Sequence, residues 1–285
     1  MKGLFKTEVG KKEILSLYDQ KLNELNIEFE CLDIDTSFGR TNVITTGVST
    51  NPPIILIHGS NGCAPIALDT YPALRKNFKV YAVDVLAQPN RSAETRMSMK
   101  DDSYGRWMNE IITALKINNV TLAGFSLGGL IILKTLEFSE SKIKEVYLAA
   151  PAYIVNGNPL KTLFKIFIPM KRFMKTEKAK YVEKFLAELF TERDEFAIKY
   201  LSKVFVHFKM DFTPVPVISE VAAKSIKTPI TLFAAQNDTI FPGAKMIKRA
   251  RKIFPSLKSV LMFENSKHVQ NKAQNELIES AILQQ

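Results

Sequence analysis

The pentapeptide Gly124-Phe125-Ser126-Leu127-Gly128 places one hydroxyl between two glycines. It follows the apolar run Val120-Thr121-Leu122-Ala123 and leads into a second apolar stretch, residues 127–138, with helical spacing. A strand, a sharp turn and a helix with serine at the apex suit nucleophilic chemistry. The turn lifts the hydroxyl above the sheet and tolerates only residues without bulk two positions before and after it. The helix starts directly behind the serine, so the Leu127 amide points to where negative charge would develop on an attacked carbonyl.

The rest of the chain must supply a scaffold for that turn. Short apolar runs recur at 54–57, 80–83, 120–123, 146–149, 230–233 and 260–263. Wholly apolar runs of this length are expected of parallel strands buried on both faces. Between them, residues 64–76, 102–115, 127–138, 242–253 and 269–283 have helical spacing. A leading helix is expected over 11–25, and a hairpin over 27–34 and 41–46 around Ser37-Phe38-Gly39-Arg40. Strand alternating with helix predicts an α/β fold with a mostly parallel, twisted sheet flanked by helices. One interval, between Ala150 and Lys227, breaks the alternation. Helices are expected there at 160–174, 178–190 and 194–208, followed by an extended, proline-bearing connection at 212–216. The expected organisation is a core of residues 1–150 and 228–285, with a helical cap, 151–227, inserted after the sixth strand.

With these motifs in their order, the sequence resembles the α/β-hydrolase family over nearly its whole length. Ile55-Leu56-Ile57-His58-Gly59 resembles the family's third strand and oxyanion turn. Residues 83–92 resemble the next strand and its loop, although Val85-Leu86-Ala87-Gln88-Pro89-Asn90 lacks the glycines usual there. Gln236-Asn237-Asp238 after an apolar strand resembles the acid loop, and Ser266-Lys267-His268 the histidine loop, where relatives often have glycine before histidine. The resemblance implies the chain order nucleophile, acid, histidine, met by Ser126, Asp238 and His268. A serine hydroxyl needs a base to take its proton, which His268 would do, with Asp238 orienting the imidazole. The amides of Ser60 and Leu127 would form the oxyanion hole.

The other candidates fit less well. The chain has three histidines. His58 falls in the oxyanion turn, where the family's residue is structural, and His207 falls among apolar residues of the cap. Asp84 ends an earlier strand, Asp211 belongs to the cap, and Leu148-Ala149-Ala150-Pro151-Ala152 offers no carboxylate. Cys63 reads as a small residue opening a helix. The serine sets the chain apart from dehalogenases and epoxide hydrolases of the fold, which use aspartate. His58-Gly59-Ser60-Asn61-Gly62 differs from the His-Gly-Gly-Pro-Gly of prolyl aminopeptidases. No metal-ligand spacing or dinucleotide fingerprint occurs, so no cofactor is expected. The resemblance implies a carboxylesterase-like serine hydrolase acting on a small ester. A binding or sensing protein on the same fold, or a C–C or amide hydrolase, is the alternative.

Composition narrows the setting. Of 285 residues 46% are hydrophobic and 24% charged, which excludes global disorder. Cys31 and Cys63 are too few for a disulfide scaffold, and a reducing, cytoplasmic setting is expected. Lys6 and Glu8 interrupt any leader-like apolar run, and no run approaches the ~20 residues of a membrane span. The net charge is +10, and residues 161–210 hold twelve basic and six acidic side chains. This surplus is mostly lysine spread along helices, not an arginine-rich groove, so a nucleic-acid partner is not expected. The basic, apolar stretch 160–175 has the composition of a segment that meets an anionic membrane. Pro169, however, is expected to interrupt it as an interfacial helix, and a solvated outer face is the simpler expectation.

Overall fold

A computed structural model of the chain describes residues 3–284. Its strands are β1 Glu30–Thr36, β2 Gly39–Thr46, β3 Pro53–Ile57, β4 Lys79–Val83, β5 Val120–Phe125, β6 Ile143–Ala149, β7 Ile230–Ala235 and β8 Leu257–Phe263. They form one sheet in the order β1-β2-β4-β3-β5-β6-β7-β8. β2 is antiparallel to β1 and to β4, and the remaining pairs are parallel. The helices are α1 Glu8–Glu24, α2 Ala64–Thr70, α3 Leu74–Asn77, α4 Ser103–Ala114, α5 Leu127–Phe138, α6 Pro159–Thr162, α7 Ile168–Thr176, α8 Ala179–Leu189, α9 Glu195–His207, α10 Glu220–Ser225, α11 Gly243–Ile253 and α12 Lys272–Leu283. From β3 the chain moves outward to β4 and then returns to the other side of β3 as β5. Such a reversal opens a crevice at the carboxyl ends of the strands, where open α/β sheets bind ligands. The ends of β3 and β5 carry His58-Gly59-Ser60 and Ser126.

The sheet is covered on both faces, which is why its strands read as unbroken apolar runs. Along β3, Ile54 and Leu56 join the core beneath α1, α2 and α12, while Ile55 and Ile57 join the core beneath α4, α5 and α11. That alternation follows from the two-residue period of a strand. α1 starts at Glu8, ahead of the expected residue, because the Thr7 side chain accepts a hydrogen bond from the Gly10 amide. The stretch 64–76 is two short helices instead of one, divided at Pro72. The last helix starts at Lys272 instead of residue 269. Asn271 and Gln274 form a reciprocal capping box there, which leaves His268 in the loop ahead of the helix.

Between β6 and β7 the described residues form helices and no strand. Pro169 does not interrupt the first of them. A π-helical turn, Leu163–Phe167, joins α6 to α7, and the Ile168 amide reaches back five residues to the Leu163 carbonyl. Pro169 then falls in the first turn of α7, where its missing donor costs nothing. Met170 and Phe173 of α7 pack against Val182, Phe185 and Leu186 of α8 and Phe205 of α9. The far side of α9 belongs to the main core. Tyr200, Val204 and Phe208 pack with Ile14 and Tyr18 of α1, and the Lys6 amide donates to the His207 carbonyl at 2.8 Å. α10, capped by Ser219, was not legible in the sequence pattern. No helix among the described residues is long and apolar enough to cross a membrane.

Candidate active site

Ser126 adopts φ 54° and ψ −110°, a conformation that costs a non-glycine residue about 1–3 kcal/mol. The strain is held from both sides. The Ser126 amide donates to the Ala149 carbonyl, and its carbonyl accepts from Ala152, each at 3.0 Å. A Cβ on Gly128 would lie 2.2 Å from the Ile57 carbonyl oxygen, and one on Gly124 would lie 2.7 Å from the Gly128 carbonyl carbon. The two glycines thus let α5 start directly under β3 and β5. Leu127 is the first residue of α5, so its amide has no partner within the helix.

A chain of two hydrogen bonds runs from the serine to the acid. His268 Nε2 lies 3.0 Å from Ser126 Oγ, and His268 Nδ1 lies 2.7 Å from Asp238 Oδ2. All three side chains are buried. The other carboxylate oxygen of Asp238 accepts from the amides of Ile240 at 2.7 Å and Phe241 at 2.9 Å. Burial pushes this carboxyl upward, but the His268 charge and hydrogen bond and the two amides outweigh it and hold it below its ordinary value. An ionised Asp238 accepts the Nδ1 proton, which leaves Nε2 free to accept from the serine. The imidazole is wedged between the rings of Phe125 and Phe241, with centroids 5.0 and 5.5 Å away.

The turn after β3 and the loop after β4, the latter without the usual glycines, are fixed to each other by side chains. His58 Nδ1 donates to the Gly59 carbonyl at 2.7 Å, while Nε2 accepts from the Val85 amide at 3.1 Å. Burial lowers the His58 pKa to about 4, partly offset by the Gly59 hydrogen bond, so the ring stays neutral. Gln88 accepts from the Asn61 amide at 2.7 Å, and Asn90 donates to the Val85 carbonyl at 3.0 Å. Within that glycine-free loop Ala87 takes φ 56°. A Cβ on Gly59 would lie 2.7 Å from the Phe125 ring and 3.3 Å from Ser126 Cβ, so the turn bearing Ser60 rests against the serine.

The family model of the alpha/beta hydrolase fold matches residues 52–216, from the start of β3 past the elbow. The chain belongs to the α/β-hydrolase fold family. Among its relatives, carboxylesterase YbfK of Bacillus subtilis is 30% identical over 135 residues, 47% of this chain and 46% of that protein. That sequence match thus spans about half of the relative's length. The uncharacterised carboxylesterase nap of the same organism is 22% identical over 93% of this chain and 89% of that one. The crystal structure of naproxen esterase from Bacillus subtilis superposes with a TM-score of 0.85 at 19% identity, covering 98% of each chain. That of carboxylesterase CesB (YbfK) gives 0.81 at 21%, covering 96% of this chain and 97% of the other.

The remaining titratable candidates of this α/β hydrolase lie outside the relay. His207 sits on α9, 3.8 Å from Glu13. Asp211 is exposed and pairs with Arg96. Asp84 is fully buried and accepts from Tyr18, Asn42 and the Ala64 amide, and burial pushes its pKa to about 6 against those bonds. Cys63 caps α2, and burial raises its thiol well above the ordinary value. Among the described residues no group of three or more His, Cys, Asp or Glu side chains is arranged to hold a metal ion.

One contributor had no mark in the sequence. Thr191, just after α8, accepts at Oγ1 from the Lys267 amide at 2.9 Å and donates to the Val269 carbonyl at 2.7 Å. Its own amide also donates to Val269 at 3.0 Å, and the Val269 amide donates to Leu189. The residues on both sides of His268 are therefore held by the segment between β6 and β7.

Proposed function

We propose that this α/β hydrolase cleaves carboxylic esters through an acyl-enzyme on Ser126. The observation that carries this reading is the unbroken relay Ser126–His268–Asp238 at a strained elbow. The relatives named as carboxylesterases support the ester class. Ser126 Oγ attacks the acyl carbonyl while its proton passes to His268 Nε2. The oxyanion is held by the amides of Ser60 and Leu127, each worth about 3 kcal/mol in the transition state. Asp238, kept ionised, stabilises the imidazolium. Collapse expels the alcohol, which takes the proton from Nε2. Water then gives a proton to Nε2 and attacks the acyl carbon, the carboxylic acid departs, and the proton returns to Ser126.

In this reading, residues 1–150 and 228–285 form the catalytic core and 151–227 the cap that borders the acyl pocket. The substrate is a small ester, and the unpaired thiols of Cys31 and Cys63 support a cytoplasmic setting. Hydrolysis of p-nitrophenyl acetate by wild type and Ser126→Ala tests the reaction, with a fluorophosphonate adduct on Ser126 read by intact mass. Equal, slow rates would end the esterase reading and favour a binding or sensing protein. A series of esters, amides and β-diketones separates ester from amide and C–C cleavage.

A further inference from the structure

The π-helical turn that carries the chain past Pro169 leaves one helical path from Pro159 to Thr176. Its inner side is satisfied: Ile166, Met170 and Phe173 are buried, the latter two against α8 and α9. Its outer side is not. Leu160 and Phe164 are each 64% exposed, and Leu163 is 42% exposed. Packing of this segment onto the rest of the fold accounts for none of these three. Beside them lies a groove of about 550 Å³ floored by Leu163, Phe167 and Phe212 and rimmed by Lys171, Arg172 and Lys175. Phe212 is itself 41% exposed, with the Lys171 ammonium 4.2 Å from its ring centre.

The charge that this segment itself carries has one sign. No acidic residue occurs between Glu145 and Glu177, a span that holds five cations. Lys165 is paired with Glu188 at 2.8 Å. Among the described residues, Lys161, Lys171, Arg172 and Lys175 meet no carboxylate in an ion pair. Protruding leucine and phenylalanine ringed by unpaired cations match the chemistry of an anionic lipid surface, with acyl chains below and phosphates above. A protein partner would have to supply an acidic rim around an apolar knob, whereas an anionic bilayer presents both over any area.

We infer that the face Pro159–Lys175, with Phe212, docks this protein reversibly on an anionic bilayer. Leu160, Leu163 and Phe164 enter the headgroup boundary, and Lys161, Lys171, Arg172 and Lys175 pair with lipid phosphates. The Gly157 amide donates to the Ile240 carbonyl at 2.7 Å, so the docking segment is joined to the loop that carries Asp238. The bilayer would therefore hold the active site at a fixed height above the lipid. Docking makes no use of Ser126, and its readout is partition rather than turnover, so it stands or falls apart from the esterase reading.

The test is flotation of the full chain with vesicles of phosphatidylcholine mixed with phosphatidylglycerol, and with phosphatidylcholine alone. Binding is expected to the mixed vesicles at low salt, weakly to the neutral ones, and to fall as salt rises. Lys171→Gln and Lys175→Gln should each lower the partition coefficient roughly fivefold. Leu160→Ser with Phe164→Ser should lower it roughly tenfold or more. Far-ultraviolet circular dichroism and p-nitrophenyl acetate hydrolysis should stay unchanged in all of them, because these side chains are on the surface. Three results would overturn the inference: no flotation at low salt, equal flotation with neutral vesicles, or flotation indifferent to these substitutions. Saturable binding of monomeric dodecanoate in the groove without flotation would assign the face to a soluble amphiphile and also overturn it.

Discussion

Thr191→Val removes the hydrogen bonds of the hydroxyl, including a 3.3 Å contact with Ser266 Oγ, while keeping the side chain's volume and branching. Thr191 Oγ1 holds the Lys267 amide at 2.9 Å and the Val269 carbonyl at 2.7 Å, one residue before and one after His268. The Val269 carbonyl keeps the Thr191 amide at 3.0 Å, so the carbonyl side is only partly released. The Lys267 amide loses its acceptor, at a cost of about 1–2 kcal/mol. At about 2–4 °C per kcal/mol for a chain of this size, the Tm should fall by roughly 2–8 °C. Catalysis should suffer more. A reacting group misplaced by about 1 Å can cost ~100-fold, so kcat is expected to drop roughly 10- to 100-fold. KM for p-nitrophenyl acetate should stay within about twofold, because Thr191 does not contact the elbow. Thr191→Ser, which keeps the hydroxyl, should restore most of kcat. The assay is steady-state hydrolysis beside a thermal melt. If Tm falls in Thr191→Val while kcat stays within about twofold, Thr191 supports the fold without aligning the base. Failure of Thr191→Ser to recover would likewise refute the role of the hydroxyl.

Asp238→Asn should leave the fold intact and lower kcat by about 10³–10⁴-fold, because an amide can stabilise the wrong imidazole tautomer; a stopped ester assay and a melt separate the two effects. Gly128→Ala should destabilise the protein by at least about 3 kcal/mol, or block soluble expression, since its Cβ would sit 2.2 Å from a backbone oxygen; urea unfolding reads this directly. His58, whose pKa falls to about 4 in the fold, takes up its proton more readily when unfolded. The stability it lends is present above pH ~6.5 and is lost as pH falls toward 4, by up to about 3 kcal/mol. Asp84, raised to about 6, acts with the opposite sign over the same range, its contribution being lost as pH rises. The His58 effect is therefore read as the difference between wild type and His58→Gln: melts from pH 7 to pH 4.5 should decline less steeply in the variant, and parallel declines would contradict the assignment.

The parallel strands were legible because a sheet covered on both faces demands runs such as Ile54-Ile55-Leu56-Ile57, and little else in a soluble protein produces them. The elbow was legible because its crowding is local, set by residues within two positions of Ser126. Asp238 and His268 are different. Their approach to Ser126 is made through space, and only the family's chain order connected them. Thr191 lay beyond reach, since it works through backbone groups 76 and 78 residues away that carry no side-chain mark. In the sequence Pro169 signals a break, because a proline inside an α-helix removes a hydrogen bond and crowds the preceding turn. The π turn widens the ladder ahead of it, a device that composition does not announce. Nor does the apolar stripe of α9 say which surface it covers, and half of it closes the main core against α1.

The hold on the histidine loop bears on how far this segment can be treated as a module. Exchanging residues 151–227 for those of a relative, as a route to new substrate preference, would delete Thr191 and with it the anchor on both sides of His268. It would also strip α9 from the core beneath α1, where Tyr200 donates to the Pro89 carbonyl at 2.8 Å. The exchangeable unit is smaller, residues 159–188. A graft confined to it changes an outer surface while Thr191 keeps its hold on the residues flanking His268.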